Sequence, residues 1–131
     1  LLIPMGHRHP MHCSAMGRVF LAYLPPVQAQ VILKNSDLKK YTFGTKNDIS
    51  EINQELILTR KRGYCKLINE LAEGTGSIAA PIFNRNREPV ASVSVSTSAR
   101  SLSQKVREET LAKAVITTAG RISNKLGYYP K

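Results

Sequence analysis

Two stretches of this chain, Ser77 to Phe83 and Pro89 to Thr97, alternate in character from one residue to the next. A period of two sorts side chains onto opposite faces of a strand, whereas a helix would scatter the same residues around its axis. Ile78, Ala80 and Ile82 share one face of the first stretch, and Ala91, Val93 and Val95 share one face of the second. Putting both apolar faces on the same side of an antiparallel pair requires partner numbers that sum to an odd value. A turn at Asn84–Arg87 sets that sum at 171. Ile78 then faces Val93, Ala80 faces Ala91, Ser77 faces Ser94, and Ser96 lies one diagonal step away.

The remaining elements are read from caps and breakers. Leu1 to Met5 reads as a short strand and Gly6 to Pro10 as a loop. Ser14 is an N-cap candidate for a helix over Ala15–Leu24, which Pro25-Pro26 ends. Gln28–Asn35 reads as a second short helix and Lys39–Asn47 as a loop. Asp48 with Glu51 has capping-box spacing, Ile49, Ile52, Leu56 and Thr59 form one helical face, and Gly63 closes that helix. Tyr64–Glu70 reads as a strand and Glu73–Gly76 as a turn. Ser103 is expected to cap a long last helix with a stripe of Leu111, Val115, Thr118, Ile122 and Leu126, stopped by Gly127. Helices, a hairpin and a long final helix predict an α+β fold, an antiparallel sheet flanked by helices.

At 131 residues the chain is one domain. No apolar run approaches membrane-spanning length, and there is no repeat or low-complexity tract. No basic start followed by an apolar stretch suggests a secretory signal. The chain opens on Leu1 inside an apolar stretch, and is expected to be a piece of something longer. The net charge of +10 admits a nucleic-acid partner. The cations are scattered, however. Their one tight cluster, Arg60-Lys61-Arg62, complements the dipole at a helix end. With 6% aromatic residues and no Trp, a stacking platform for single strands is not indicated. Cys13 and Cys65 form no CxxC motif, which fits free thiols in a reducing, cytoplasmic compartment.

The second arm of the hairpin presents Ser92, Ser94 and Ser96 where an exposed strand would carry larger polar residues. Small hydroxyls beside Ser77 suit the wall of a cavity for a small polar ligand such as a carboxylate. A plain solvent-facing or helix-covered sheet face is the alternative. The start of the helix at Ala15, Met16 and Gly17 offers free amides that favour anions, as every helix start does. His7, His9 and His12 lie beside Cys13, but their spacing matches no common zinc pattern. Cys13 at a helix start, near His12 and Arg18, is either a low-pKa thiol or a small core residue. Glu70 and Glu73 flank a turn without forming a paired-acid site. No phosphate-binding or nucleophile-elbow motif occurs, and no cofactor is expected.

Four blocks, in order and in register, resemble the IclR-type bacterial transcription regulators. They are Pro10–Ala22, Thr59–Tyr64, Glu70 through Gly74 to Ser77–Phe83, and Arg87–Ser96. The resemblance implies a GAF-like effector-binding domain and no enzyme. It implies a winged helix-turn-helix for operator DNA preceding this chain, a small-molecule effector, often a keto or aromatic acid, and a homodimer or homotetramer. Carried over by position, the ligand-binding residues are Ala15, Met16, Thr75, Ser77, Ser94 and Ser96. Many members have Cys where Ser77 stands, and some have an acidic residue where Leu67 stands. Ser77-Ile78-Ala79 with Glu70 upstream resembles the subgroup governing catabolism of aromatic acids such as protocatechuate or 4-hydroxybenzoate. Arg8 would pair with a ligand carboxylate if its loop folded over the pocket, and is otherwise a surface arginine. A thiol-dependent redox enzyme on a similar fold, using Cys13 or Cys65, is the alternative.

Overall fold

The structure, a computed structural model, describes residues 3–130. Its centre is β2 (Thr75–Phe83), which pairs antiparallel with β1 (Cys65–Ile68) on one side and β3 (Pro89–Ser98) on the other. Residues Ile78 through Ile82 of β2 are buried without a break, so this strand is covered on both faces. On one face Ile78, Ala80 and Ile82 pack with Leu102, Ala112, Val115 and Ala119. On the other, Ala79 packs with Cys65 and Leu67 of β1 and with Ala15 and Val19.

The first cover comes from α4 (Ala99–Leu102) and α5 (Lys105–Lys125), the second from α1 (Ala15–Tyr23). Two more helices, α2 (Pro26–Lys34) and α3 (Ile49–Arg62), bury Ala29, Leu33, Ile52 and Leu56 against Leu21 and Ala22 of α1. The result is an α+β sandwich of helix, antiparallel sheet and helix, as the sequence patterns predict. No helix of the described residues is long and apolar enough to cross a membrane.

The caps act as the sequence indicates. The Ser14 hydroxyl accepts from Gly17 N at 3.1 Å, and the Asp48 carboxylate accepts from Glu51 N at 3.4 Å. Gly63 ends α3 in the left-handed region at φ 86°.

Four local expectations fail. Leu1 and Leu2 lie outside the described residues, and Ile3–Met5 form no strand but lead into a turn at Met5-Gly6. The hairpin parity is right but its register is shifted by two. Ser77 faces Ser96, Ile78 faces Val95 and Ala80 faces Val93, a sum of 173: the turn closes with Asn84 N bonded to Glu88 O, a sum of 172, and a bulge at Ile82/Phe83 absorbs one further residue of β3. Ser103 does not cap the last helix. Its hydroxyl bonds back to Ala99 O and closes α4, an element the sequence reading lacked, while Gln104 precedes α5. The buried face of α5 is Ala112, Val115, Ala119 and Ser123, so Thr118, Ile122 and Leu126 of the expected stripe are exposed.

Candidate functional site

Because odd residues of β2 share a face with Ser92, Ser94 and Ser96, the serine face turns toward α1. Ser92 Oγ donates to Met16 O across that gap at 3.4 Å, and Ser77 and Ser96 hydroxyls meet at 3.0 Å. The gap widens toward the start of α1 into a cavity of about 110 Å3. Its floor is Ser77, Ser94, Ser96 and Leu67, its roof is Cys13, Ser14, Ala15 and Met16, and Glu70, Leu71, Ala72 and Thr75 close one side. All six residues singled out from the sequence (Ala15, Met16, Thr75, Ser77, Ser94 and Ser96) therefore line one cavity. They come from α1, β2 and β3.

The roof is the positive end of a helix. The first turn of α1 holds no acidic residue to compete for its amides. Ser14 occupies Gly17 N, and Arg18 N bonds to Ser14 O, while the amides of the lining residues Ala15 and Met16 have no acceptor among the described residues. Leu67, opposite Ser77 in the ladder, makes that part of the floor apolar. Arg8 is exposed and does not line the cavity, so it does not supply the ligand contact its position suggested. His9 lines the cavity, and burial and the neighbouring His7 lower its pKa.

The one carboxylate in the wall, Glu70, is not free. It forms a two-pronged pair with the fully buried Arg18, Nη1 to Oε2 at 2.9 Å and Nη2 to Oε1 at 2.9 Å. Lys46 N donates to Oε1 at 3.1 Å, and Lys46 Nζ stands 3.6 Å from Oε2. Burial by itself would lower the Arg18 pKa; the hydrogen bonds and charge of Glu70, with smaller contributions from Cys65 and Glu55, together outweigh it and raise it. Sequence reading passed over this pair because its members lie 52 positions apart. The only signal was a charged residue on the buried face of α1.

The thiol readings resolve against chemistry. Cys13 and Cys65 are free and buried, and burial pushes both thiols up to about 11. That is the reverse of the depressed pKa a redox or nucleophilic thiol needs, so the redox alternative falls. The three histidines do not converge. His7 and His9 stack edge to face at 4.8 Å, while His12 Nε2 bonds to Lys39 O. Among the described residues no cluster of three or more His, Cys, Asp or Glu is placed to hold a metal.

A family model described as bacterial transcriptional regulator IclR, C-terminal, matches residues 1–124. The chain is 40% identical over 93 residues to the transcriptional repressor IclR of Escherichia coli strain K12, covering 71% of this chain and 34% of that protein. Thermotoga maritima IclR superposes over 98% of this chain and 51% of its own with a TM-score of 0.93 at 32% identity. The inducer-binding domain of PobR from Acinetobacter shares the fold at a TM-score of 0.78 and 22% identity, over 94% of this chain and 68% of its own. The chain thus spans about a third to a half of the length of the curated relatives it matches. The family match over residues 1–124 and the shared fold agree, and the chain belongs to the IclR C-terminal family of effector-binding domains in bacterial transcription regulators.

Proposed function

We propose that this domain senses a small carboxylate in the cavity under α1 and reports it to operator DNA through a DNA-binding part of the same protein outside residues 1–131. The observation that carries the reading is the electrostatic asymmetry of the cavity. Its roof offers the helix-start amides of Ala15 and Met16, its floor offers the hydroxyls of Ser77, Ser94 and Ser96, and its one carboxylate is neutralised by Arg18 and Lys46. An anion meets donors and no unpaired negative charge. The ligand carboxylate faces the amides of α1, and its oxo or hydroxyl group reaches Thr75 and the Ser77–Ser96 pair. Binding tighter to one of two arrangements of the whole protein then shifts its operator affinity. The assembly is a homodimer or homotetramer in the cytoplasm.

Size narrows the ligand. An engineered cavity of about 150 Å3 holds a benzene ring, and this one, at about 110 Å3, is smaller. Short oxo or hydroxy acids fit as it stands, whereas an aromatic acid requires the wall at 70–72 to move. The PobR domain was crystallised, as a double mutant, with 3-hydroxybenzoic acid, so ring acids belong in the test.

The test is a thermal-shift and calorimetric screen of the full-length protein with pyruvate, glyoxylate, short dicarboxylates, 4-hydroxybenzoate and protocatechuate. A ligand at about 100 times its Kd adds roughly 2.7 kcal/mol. Binding that Ser77→Ala/Ser96→Ala weakens at least tenfold supports the reading. Silence across the panel, or binding indifferent to those serines and to Ser94→Ala, overturns it.

A further inference from the structure

The wall of the cavity at Glu70–Ala72 is not part of the sheet. β1 ends at Ile68 and β2 begins at Thr75, so residues 69–74 form a turn tied to the sheet only at its two ends, by the Asn69 N to Thr75 O and Ala99 N to Gly74 O bonds. Asn69 adopts a left-handed φ of 59°, and its side chain accepts from Gly74 N. The rest of the turn is held from behind by residues 39–46, a stretch with no helix or strand of its own.

The bonds between the two are many. Thr45 Oγ1 donates to Glu70 O, Thr42 Oγ1 donates to Asn69 O, and Lys46 N donates to the Glu70 carboxylate. Gly44 packs so closely that an added Cβ would meet Asn69 O at 2.9 Å. The same stretch reaches the roof, where His12 Nε2 bonds to Lys39 O at 2.8 Å. Arg18 joins these two sides once more, since its Nη2 donates both to Glu70 Oε1 and to His12 O, next to Cys13.

We propose that residues 39–46 are a strap behind the cavity wall, latched by the Arg18–Glu70 pair, and that releasing the strap lets Glu70–Ala72 swing away from α1 and open the cavity. The device takes its biological meaning from the ligand-sensing reading, but it is readable with no ligand present. Cys13 lines the cavity, whereas Cys65 is buried between α1 and the sheet and does not. A local opening exposes the first thiol and spares the second; global unfolding exposes both.

The experiment measures iodoacetamide labelling of each cysteine in the full-length protein by peptide mass spectrometry. Thr45→Val removes the hydroxyl bond to Glu70 O and the strap's own bonds from Tyr41 N and Thr42 N, and Thr42→Val removes the bond to Asn69 O and the one from Gly44 N, both leaving every charge in place. Each is expected to speed Cys13 labelling about tenfold, with Cys65 changing less than about twofold and Thr45→Ser behaving as wild type. Glu70→Gln is expected to raise the Cys13 to Cys65 rate ratio likewise. The ratio is the useful readout there, because Glu70 raises the pKa of both thiols and its loss speeds both electrostatically. An unchanged Cys13 rate in both threonine variants, or a proportional rise at both cysteines, overturns the strap. A failed ligand screen alongside a selective Cys13 response would leave the strap standing and remove the sensing reading.

Discussion

At the residue scale, the pair that organises the cavity gave the weakest sequence signal. Arg18 sits on the apolar face of α1, where a guanidinium is costly unless paired, and its partner arrives from beyond β1. Nothing in local periodicity can announce a contact of that span. By contrast, Ser77, Ser94 and Ser96 were legible because small hydroxyls on a strand are unusual enough to require a reason. The pair makes a sharp prediction. Arg18→Met leaves Glu70 buried beside Lys46 alone and should cost about 3–5 kcal/mol, whereas Arg18→Met/Glu70→Leu should cost much less. Urea unfolding of the four species in the double-mutant cycle measures this. The thiols predict a pH dependence. Each folded-state pKa lies near 11, above the ordinary 9.0, so protonated thiol favours the folded state. That contribution is complete below about pH 9 and is lost as pH rises toward 11. Tyr23 and Tyr64, also raised by burial, act in the same direction. Melting temperature against pH should therefore fall less steeply over that window in Cys13→Ala/Cys65→Ala, and an unchanged slope would contradict the assignment.

At the element scale, what the sequence revealed depended on whether burial follows hydrophobicity. On the hairpin it does, so the faces of β2 and β3 came out right. Their register did not, because the closing pair of the turn and the bulge beside it are local features that alternation cannot place. On α5 the rule inverts. The residues against the sheet are Ala112, Val115, Ala119 and Ser123, small enough for close approach, and the Ser123 hydroxyl accepts from Phe83 N at 3.0 Å. Ile122 and Leu126 carry more apolar surface yet face outward, about 36% and 47% exposed. A stripe chosen by hydrophobicity is thus rotated away from the packed face. Ala119→Leu should overpack that seam and cost about 1–3 kcal/mol, while Leu126→Lys should change stability by less than about 0.5 kcal/mol. Chemical denaturation decides between the two phases. α1 supplies a related test, because Gly17 abuts the Met11 backbone. Gly17→Ala, favourable in an open helix by up to about 1 kcal/mol, should instead destabilise this one and loosen the roof of the cavity.

At the scale of the whole molecule, the +10 charge is scattered along the sequence, with Arg60-Lys61-Arg62 its one tight cluster. Its cations are spread over helix ends and loops, and several have structural partners: Arg18 with Glu70, Arg60 with the carbonyls that end α1, and Lys66 with Glu108. In the function proposed above, DNA recognition lies in a part of the protein outside residues 1–131, and communication between the two is a measurable quantity. If a carboxylate changes operator affinity by some factor, the operator must change carboxylate affinity by the same factor, because the two bindings share one thermodynamic cycle. Calorimetric titration of the effector into the full-length protein, with and without saturating operator, should show that factor, typically 5–150-fold. The ratio should equal the one obtained by titrating operator with and without effector. Residues 1–131 alone should show the effector affinity of one arrangement and no response to operator. A domain whose effector affinity shifted with DNA on its own would place a nucleic-acid surface here after all. A full-length protein with no shift in either direction would mean that the cavity, occupied or not, is silent toward DNA.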